Sequence, residues 1–192
     1  MNVLLLGPQG SGKGTQGKRL AATYGIPHIA TGDILRDAIA AETELGLRVK
    51  PILDSGQLVS DELMIELIRE RLEADDARDG FVLDGFPRTM AQAEALDELL
   101  SELGRDLDVV FEFQVPNRDQ LLERMLKRAQ EEGRTDDTPE VIERRLALYH
   151  EQTEPLVEHY RAQGNLVGIH AERSINEVFA EVQEALDQVA VR

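Results

Sequence analysis

Residues Val3 to Gln16 read VLLLGPQGSGKGTQ, and the spacing Gly7-x4-Gly12-Lys13 is one at which a chain can wrap around a phosphate. Glycines let successive backbone N–H groups converge on one anion. A helix that starts at such a turn adds the positive end of its dipole. Lys13 supplies a full charge with the reach to meet terminal phosphates. A plain glycine-rich turn between strand and helix is the alternative; the apolar run before the loop, and the Lys and Thr inside it, weigh against that. One departure stands out. The general pattern puts Ser or Thr directly after the lysine, to sit on Mg²⁺, whereas here Gly14 follows and Thr15 comes one residue later.

A second chemical signal is Phe81-Val82-Leu83-Asp84-Gly85, an apolar strand ending in a carboxylate. Alone, Asp84 reads as a cap on the next turn. Beside a phosphate loop it reads as a holder of Mg²⁺, directly or through water. Cations form the third signal. Arg124 and Arg128 are spaced i, i+4 and share a helix face distinct from the apolar Leu121, Leu122, Met125 and Leu126. Arg134 sits in a polar loop, Arg144 and Arg145 in the helix after it, Arg88 beyond the Asp84 strand, and Arg36 in an early insert. Solvated arginines beside acidic neighbours are the default reading. Their number around one glycine loop argues for an anion site, provided the fold brings them together.

The elements that must do so are legible. Five β-like runs are expected at Val3–Leu6, His28–Ala30, Phe81–Leu83, Val109–Val115 and Leu166–Ile169. Helical patterns lie between them: Lys13–Tyr24 ending at Gly25, Asp61–Leu72 after Ser60 as N-cap, and Met90–Leu103 with Ala93, Leu96, Leu99 and Leu100 on one face. Ser174-x-x-Glu177 is a capping box that opens a last helix with Val178, Val182, Leu186 and Val189 inside. Strands alternating with helices imply a three-layer α/β fold around a central five-stranded parallel sheet. Two segments break the alternation. Thr31–Val59 holds two short helical patterns and no strand, and reads as an inserted flap. Glu131–Asp137 is a short polar loop; Gly133 can stop the helix before it, and Thr138 with Pro139 can start the next.

Composition bounds the rest. A chain of 192 residues with 42% apolar content, spread evenly, is one globular domain with small insertions. No apolar run approaches the ~20 residues of a membrane span. The N-terminus enters a strand directly, so no signal peptide is expected. With no cysteine there is neither a disulfide nor a Cys-based zinc site, and a cytoplasmic location fits. The net charge of −16 argues against a nucleic-acid surface. An acidic protein that takes polyanionic ligands must concentrate its few cations in the site.

These segments together resemble the bacterial adenylate kinases, over essentially the whole chain. The matching stretches are GPQGSGKGTQ (7–16), ATGDILR (30–36), GQLVSDEL (56–63), FVLDGFPRT (81–89) with Gln92, and RTDD (134–137) followed by RRL (144–146). The DGFPRT stretch is specific to nucleoside-monophosphate kinases; the phosphate loop alone is not. The resemblance implies a P-loop NTPase-type fold with a core at 1–29, 60–127 and 138–192, a small helical NMP-binding insert at 30–59 and a short lid at 128–137. It implies that Gly10, Ser11, Gly12, Lys13, Gly14 and Thr15 cradle the phosphates of ATP, with Lys13 on the transferred group. Thr31, Gly32, Arg36, the backbone of Gln57, Leu58 and Val59, and Gly85, Phe86, Pro87, Arg88 and Gln92 would bind AMP. Within that set Gln92 reads the adenine edge and Arg88 the phosphate. Arg124 and Arg128 would serve ATP from the lid hinge; Arg134 and Arg145 would clamp the AMP side and the moving phosphoryl; Arg173, a looser match, falls near the ATP adenine. Asp84 would hold Mg²⁺ through water. The family's long lid is missing, which places the chain with the short-lid subclass, and no zinc site is expected. The implied reaction is MgATP + AMP ⇌ 2 ADP, serving adenine-nucleotide homeostasis, by a cytoplasmic monomer. A UMP- or CMP-type kinase and a nucleotide sensor without turnover are the alternatives. Thr31 argues against the first, and the retained Lys13, Asp84 and arginines against the second.

Such chemistry explains what the sequence lacks. A phosphate nucleophile has a second pKa of ~6 and is already an anion at neutral pH, so no general base is needed. His28, His150, His159 and His170 are then structural or surface residues. The obstacle is repulsion: two unit charges ~5 Å apart cost about 3 kcal/mol at an effective dielectric of ~20. An arginine cluster with Mg²⁺ answers it. In the empty protein these arginines are expected to repel one another and hold Thr31–Val59 and the short loop open.

Overall fold

Val3, Leu5 and Val82 project to one side of a sheet and Leu4, Leu6 and Leu83 to the other, and each set is buried in its own apolar cluster. This alternation, with both faces apolar, makes a central layer covered on both sides. In the computed structural model, which describes residues 1–134 and 136–190, the sheet has five parallel strands: β1 (Asn2–Leu6), β2 (His28–Ala30), β3 (Phe81–Asp84), β4 (Val109–Gln114) and β5 (Leu166–His170). Their order is β2-β3-β1-β4-β5. Thr135, within the expected lid and the RTDD stretch, and Val191 and Arg192, at the end of the expected core, lie outside the described residues. All five expected strands are present. β3 extends one residue further than expected, so that Asp84 pairs in register with Leu5 and Ala30. β4 stops one residue sooner.

On the Val3 face pack α1 (Lys13–Tyr24), α6 (Arg118–Glu132), α7 (Pro139–Leu148) and α9 (Ile175–Ala190), through Leu20, Met125, Ile142 and Val182. On the Leu4 face pack α4 (Asp61–Glu73), α5 (Met90–Glu102) and α8 (Leu156–Gln163), through Ile68, Leu96 and Tyr160. Between β2 and α4 run α2 (Thr31–Ala40) and α3 (Glu44–Asp54), with no strand among them.

The helix ends carry most of the signals expected of them. Gly133 closes α6 with φ 61°, and Thr138 opens α7 by accepting from the Val141 N–H, with Pro139 in the first turn. Ser174 and Glu177 form the reciprocal box that opens α9. Ser60 is different. It occupies the N-cap of α4, but its side chain makes no capping bond. Two acids in the first turn, Asp61 and Glu62, complement the positive helix end instead.

Candidate active site

β1 and β3 are neighbours, yet the chain leaves β1 toward β2 and leaves β3 toward β4, on opposite sides. A crevice opens at their carboxyl ends, where open parallel sheets bind ligands. The loop after β1 carries Lys13, and β3 ends in Asp84. They border a cavity of about 600 Å³. Among the described residues, ten of the chain's 21 Lys and Arg side chains line it, against four of its 37 Asp and Glu. The scarce cations are gathered there, as the sequence required.

Gly12 is the N-cap of α1, and its φ of 92° is a left-handed value that an L side chain resists. This turn aims the start of α1 at the cavity. The Lys13 ammonium folds over its own loop and donates to the carbonyls of Gly7 at 2.7 Å and Pro8 at 2.8 Å. Burial lowers its pKa to about 8; Asp84 opposes the shift, while Arg88 and Arg128 add to it.

Asp84 is held below the usual carboxylate range. Burial pulls its pKa up, but His28, Lys13 and Arg88 together outweigh that pull. His28 acts on it from 3.7 Å, beyond hydrogen-bond length. An ionised carboxylate next to a phosphate loop, with Gly14 adding no side chain in front of it, is the oxygen donor a hard divalent ion accepts while keeping its waters. The residues therefore fit Mg²⁺.

Beyond β3, Gly85 adopts φ 84°, and a Cβ there would lie 2.6 Å from the Thr31 hydroxyl oxygen. This close approach brings the start of α2 against the end of β3. Arg88 lies half-buried in the same region, its Nε donating to Gly85 O at 2.8 Å, and desolvation depresses its pKa. Gln92 lines the cavity from α5, and Gln57, Leu58 and Val59 line it from the segment before α4. Phe86 does not: it is 1% exposed and packs in the core cluster of the Leu4 face, so its ring anchors Gly85 and Pro87 from behind.

Arg124, Arg128, Arg134, Arg145 and Arg173 all reach the cavity. Arg124 donates to the carbonyls of Ala171 at 2.9 Å and Glu172 at 3.2 Å, tying α6 to the turn after β5. Arg173 pairs with Glu181. Arg128 and Arg145 share Asp137, whose side chain is 0% exposed; Arg128 Nη2 lies 2.7 Å from it. Arg145 also meets Asp136 at 2.7 Å. Arg36 pairs with Asp33 at 2.6 Å, and Arg134 with Glu132 at 2.5 Å. Two consecutive arginines of α7 reach the end of α3: Arg144 donates to Ser55 O at 2.6 Å and Arg145 to Leu53 O at 3.2 Å.

The expectation that unpaired arginines repel one another is therefore corrected for all but Arg88, which still feels the charges of Arg145 and Arg36. Arg36, Arg128, Arg134 and Arg145 each face a carboxylate, and the insert rests against α7. Asp33, Asp136 and Asp137, which supply this neutralisation, were not singled out from the sequence. Their only signal was position: each lies within three residues of an arginine in a motif already recognised.

The sequence model of the family described as adenylate kinase matches residues 5–165. The chain is 50% identical to the adenylate kinase of Maricaulis maris over 188 residues, covering 98% of this chain and 100% of that one. It is 48% identical to the adenylate kinase of Caulobacter vibrioides, covering 99% of both, and 48% identical to that of a Mycobacterium species, covering 97% of this chain and 99% of that one.

Proposed function

The chain belongs to the adenylate kinase family and is an ATP:AMP phosphotransferase; we propose that it works as a cytoplasmic monomer with Mg²⁺, through the cavity between β1 and β3. The observation that carries the assignment of residues is the concentration of cations in that cavity, around a glycine loop and one ionised carboxylate.

In this reading the N–H groups from Gly10 to Thr15 receive the phosphates of ATP, and Lys13 leaves its own loop carbonyls for the oxygens of the transferred group. Arg88 and Arg36 take the AMP phosphate, and the Thr31 and Gln92 side chains meet its base. Asp84 would hold Mg²⁺, which would supply charge neutralisation to the phosphates of ATP. Arg128, Arg134 and Arg145 exchange carboxylate partners for phosphate oxygens as the two anions approach, so that positive charge is in place before the transition state forms. The insert (30–59) and the short lid (128–137) exclude water from the transfer. No histidine needs to move a proton.

Nothing favours a pyrimidine monophosphate as acceptor over AMP: the relatives named above are all adenylate kinases. The test is turnover with ATP and each of AMP, GMP, CMP and UMP, with and without Mg²⁺. ADP formation from AMP that needs the ion is expected. Turnover of another monophosphate in preference to AMP, or turnover unaffected by chelation, overturns the reading.

A further inference from the structure

A glutamine that reads a base must present its carboxamide one way round, because the oxygen accepts and the nitrogen donates. In this chain both ends of the Gln92 carboxamide are already committed. Its Oε1 accepts from the backbone N–H of Arg88 at 2.8 Å, and its Nε2 donates to Asp61 Oδ1 at 2.8 Å. Rotating the carboxamide by half a turn would set its oxygen against a carboxylate that only accepts, and its N–H groups against a backbone N–H that only donates. Gln92 is 2% exposed, so bulk water is not available to repair the loss.

The two fixing groups are themselves fixed. Thr89 Oγ1 accepts the N–H of Gln92 at 3.3 Å, which turns its hydroxyl proton outward, and that proton goes to Asp61 Oδ1 at 2.9 Å. The Thr153 hydroxyl donates to Arg88 O at 2.8 Å, holding the peptide at the other end. Among the described residues, one N–H and one lone pair of Gln92 remain free, in a known order, at the cavity wall.

We propose that Asp61 is a positioning residue that locks the Gln92 carboxamide in the single orientation complementary to adenine, and so sets the preference for AMP over a purine monophosphate with the reversed edge. Adenine offers an amino donor beside a ring-nitrogen acceptor, which match the free lone pair and the free N–H. Hypoxanthine offers an oxo acceptor beside a ring N–H, the opposite pattern on the same frame. The inference rests on the assignment of Gln92 to the AMP base.

The experiment compares kcat/KM for AMP and inosine monophosphate, with MgATP as donor, in the wild type and in Gln92→Ala, Asp61→Ala and Asp61→Asn. Asp61→Ala is expected to lower the AMP-to-IMP ratio by at least about fivefold, the worth of one hydrogen bond to a base edge. The change should come through KM for AMP, with KM for ATP unmoved. Asp61→Asn keeps the volume and an acceptor but accommodates either orientation, so it is expected to fall between; it also frees the test from any failure of the alanine variant to fold. An unchanged ratio in both Asp61 variants, or KM values for AMP and IMP that rise in proportion, overturns the lock. If Gln92→Ala itself leaves the ratio unchanged, the assignment of Gln92 falls first and the inference with it. If Gln92→Ala collapses the ratio and the Asp61 variants do not, only the inference falls.

Discussion

Nη2 of Arg134 lies 3.9 Å from Oδ1 of Asp33, so a carboxylate on the insert faces a cation of the short lid. The same oxygen holds Arg36 at 2.6 Å. One aspartate thus stands where two cations from different segments converge.

Removing that carboxylate should loosen the ligand-free protein and leave the ligand-bound one alone. Asp33 is partly exposed, so its longer pair contributes no more than about 1 kcal/mol, and the closed population should fall about fivefold at most. With fluorophores on Glu44 and Glu184, Asp33→Asn is expected to show a longer distance than the wild type without ligand. The two should share one distance once a bisubstrate dinucleotide is added. Equal distances without ligand would show that Asp33 does not hold the segments together.

Lys13→Met should reduce kcat by about 10²–10³, because the ammonium acts on charge that shifts during transfer. The side chain's partners are loop carbonyls at the cavity edge, so the melting temperature should change little. A variant with near-normal kcat removes Lys13 from the chemistry.

The pKa of about 8 for Lys13 predicts proton uptake on binding ATP. Arriving phosphate oxygens favour the charged form, so the bound value exceeds the free one. Below the free value Lys13 is charged in both states and affinity is flat. Above it, binding must take up a proton, and affinity falls as pH rises toward the bound value. Calorimetric titrations above the free value, in two buffers of different ionisation enthalpy, should show uptake in the wild type and none in Lys13→Met. Equal heats in the two buffers for the wild type would contradict the shift.

Asp137→Ala leaves Arg128 and Arg145 without their shared buried partner. Breaking such an arrangement from one side costs about 3 kcal/mol, which for a chain of this size lowers Tm by about 6–12 °C. Thermal unfolding checks it. A change within about 1 °C would mean that Asp136 takes over the pairing of Arg145 and that solvent suffices for Arg128.

Much of this was legible in the sequence because the relevant constraints act between neighbours. The phosphate loop needs its glycines and its lysine within a few residues, and the strands announce themselves by apolar runs such as Val3–Leu6. Gly133, Thr138 and Pro139 mark helix ends by chemistry confined to one turn. What stayed hidden involves partners distant in sequence or indistinct in kind. Phe86 sits in a motif whose other members face the cavity, and motif membership does not say which way a ring turns. Asp61, Asp33, Asp136 and Asp137 are four carboxylates among 37 acids, and only the fold shows which of them meet arginines or a glutamine. Ser60 had the right position for a cap, yet position did not decide where its hydroxyl points.

The contacts of Arg144 and Arg145 with the end of α3 have an asymmetry that bears on how the chain can change over generations. The donors are side chains, but the acceptors, Ser55 O and Leu53 O, are main-chain atoms. A carbonyl is supplied by whichever amino acid occupies its position. Neutral drift at 55 can therefore exchange one side chain for another without touching this contact, whereas loss of either arginine removes it. The insert is free to diversify on this flank, and a descendant tuned to a different temperature or salt can rewrite its surface there without having to reinvent how the insert is held.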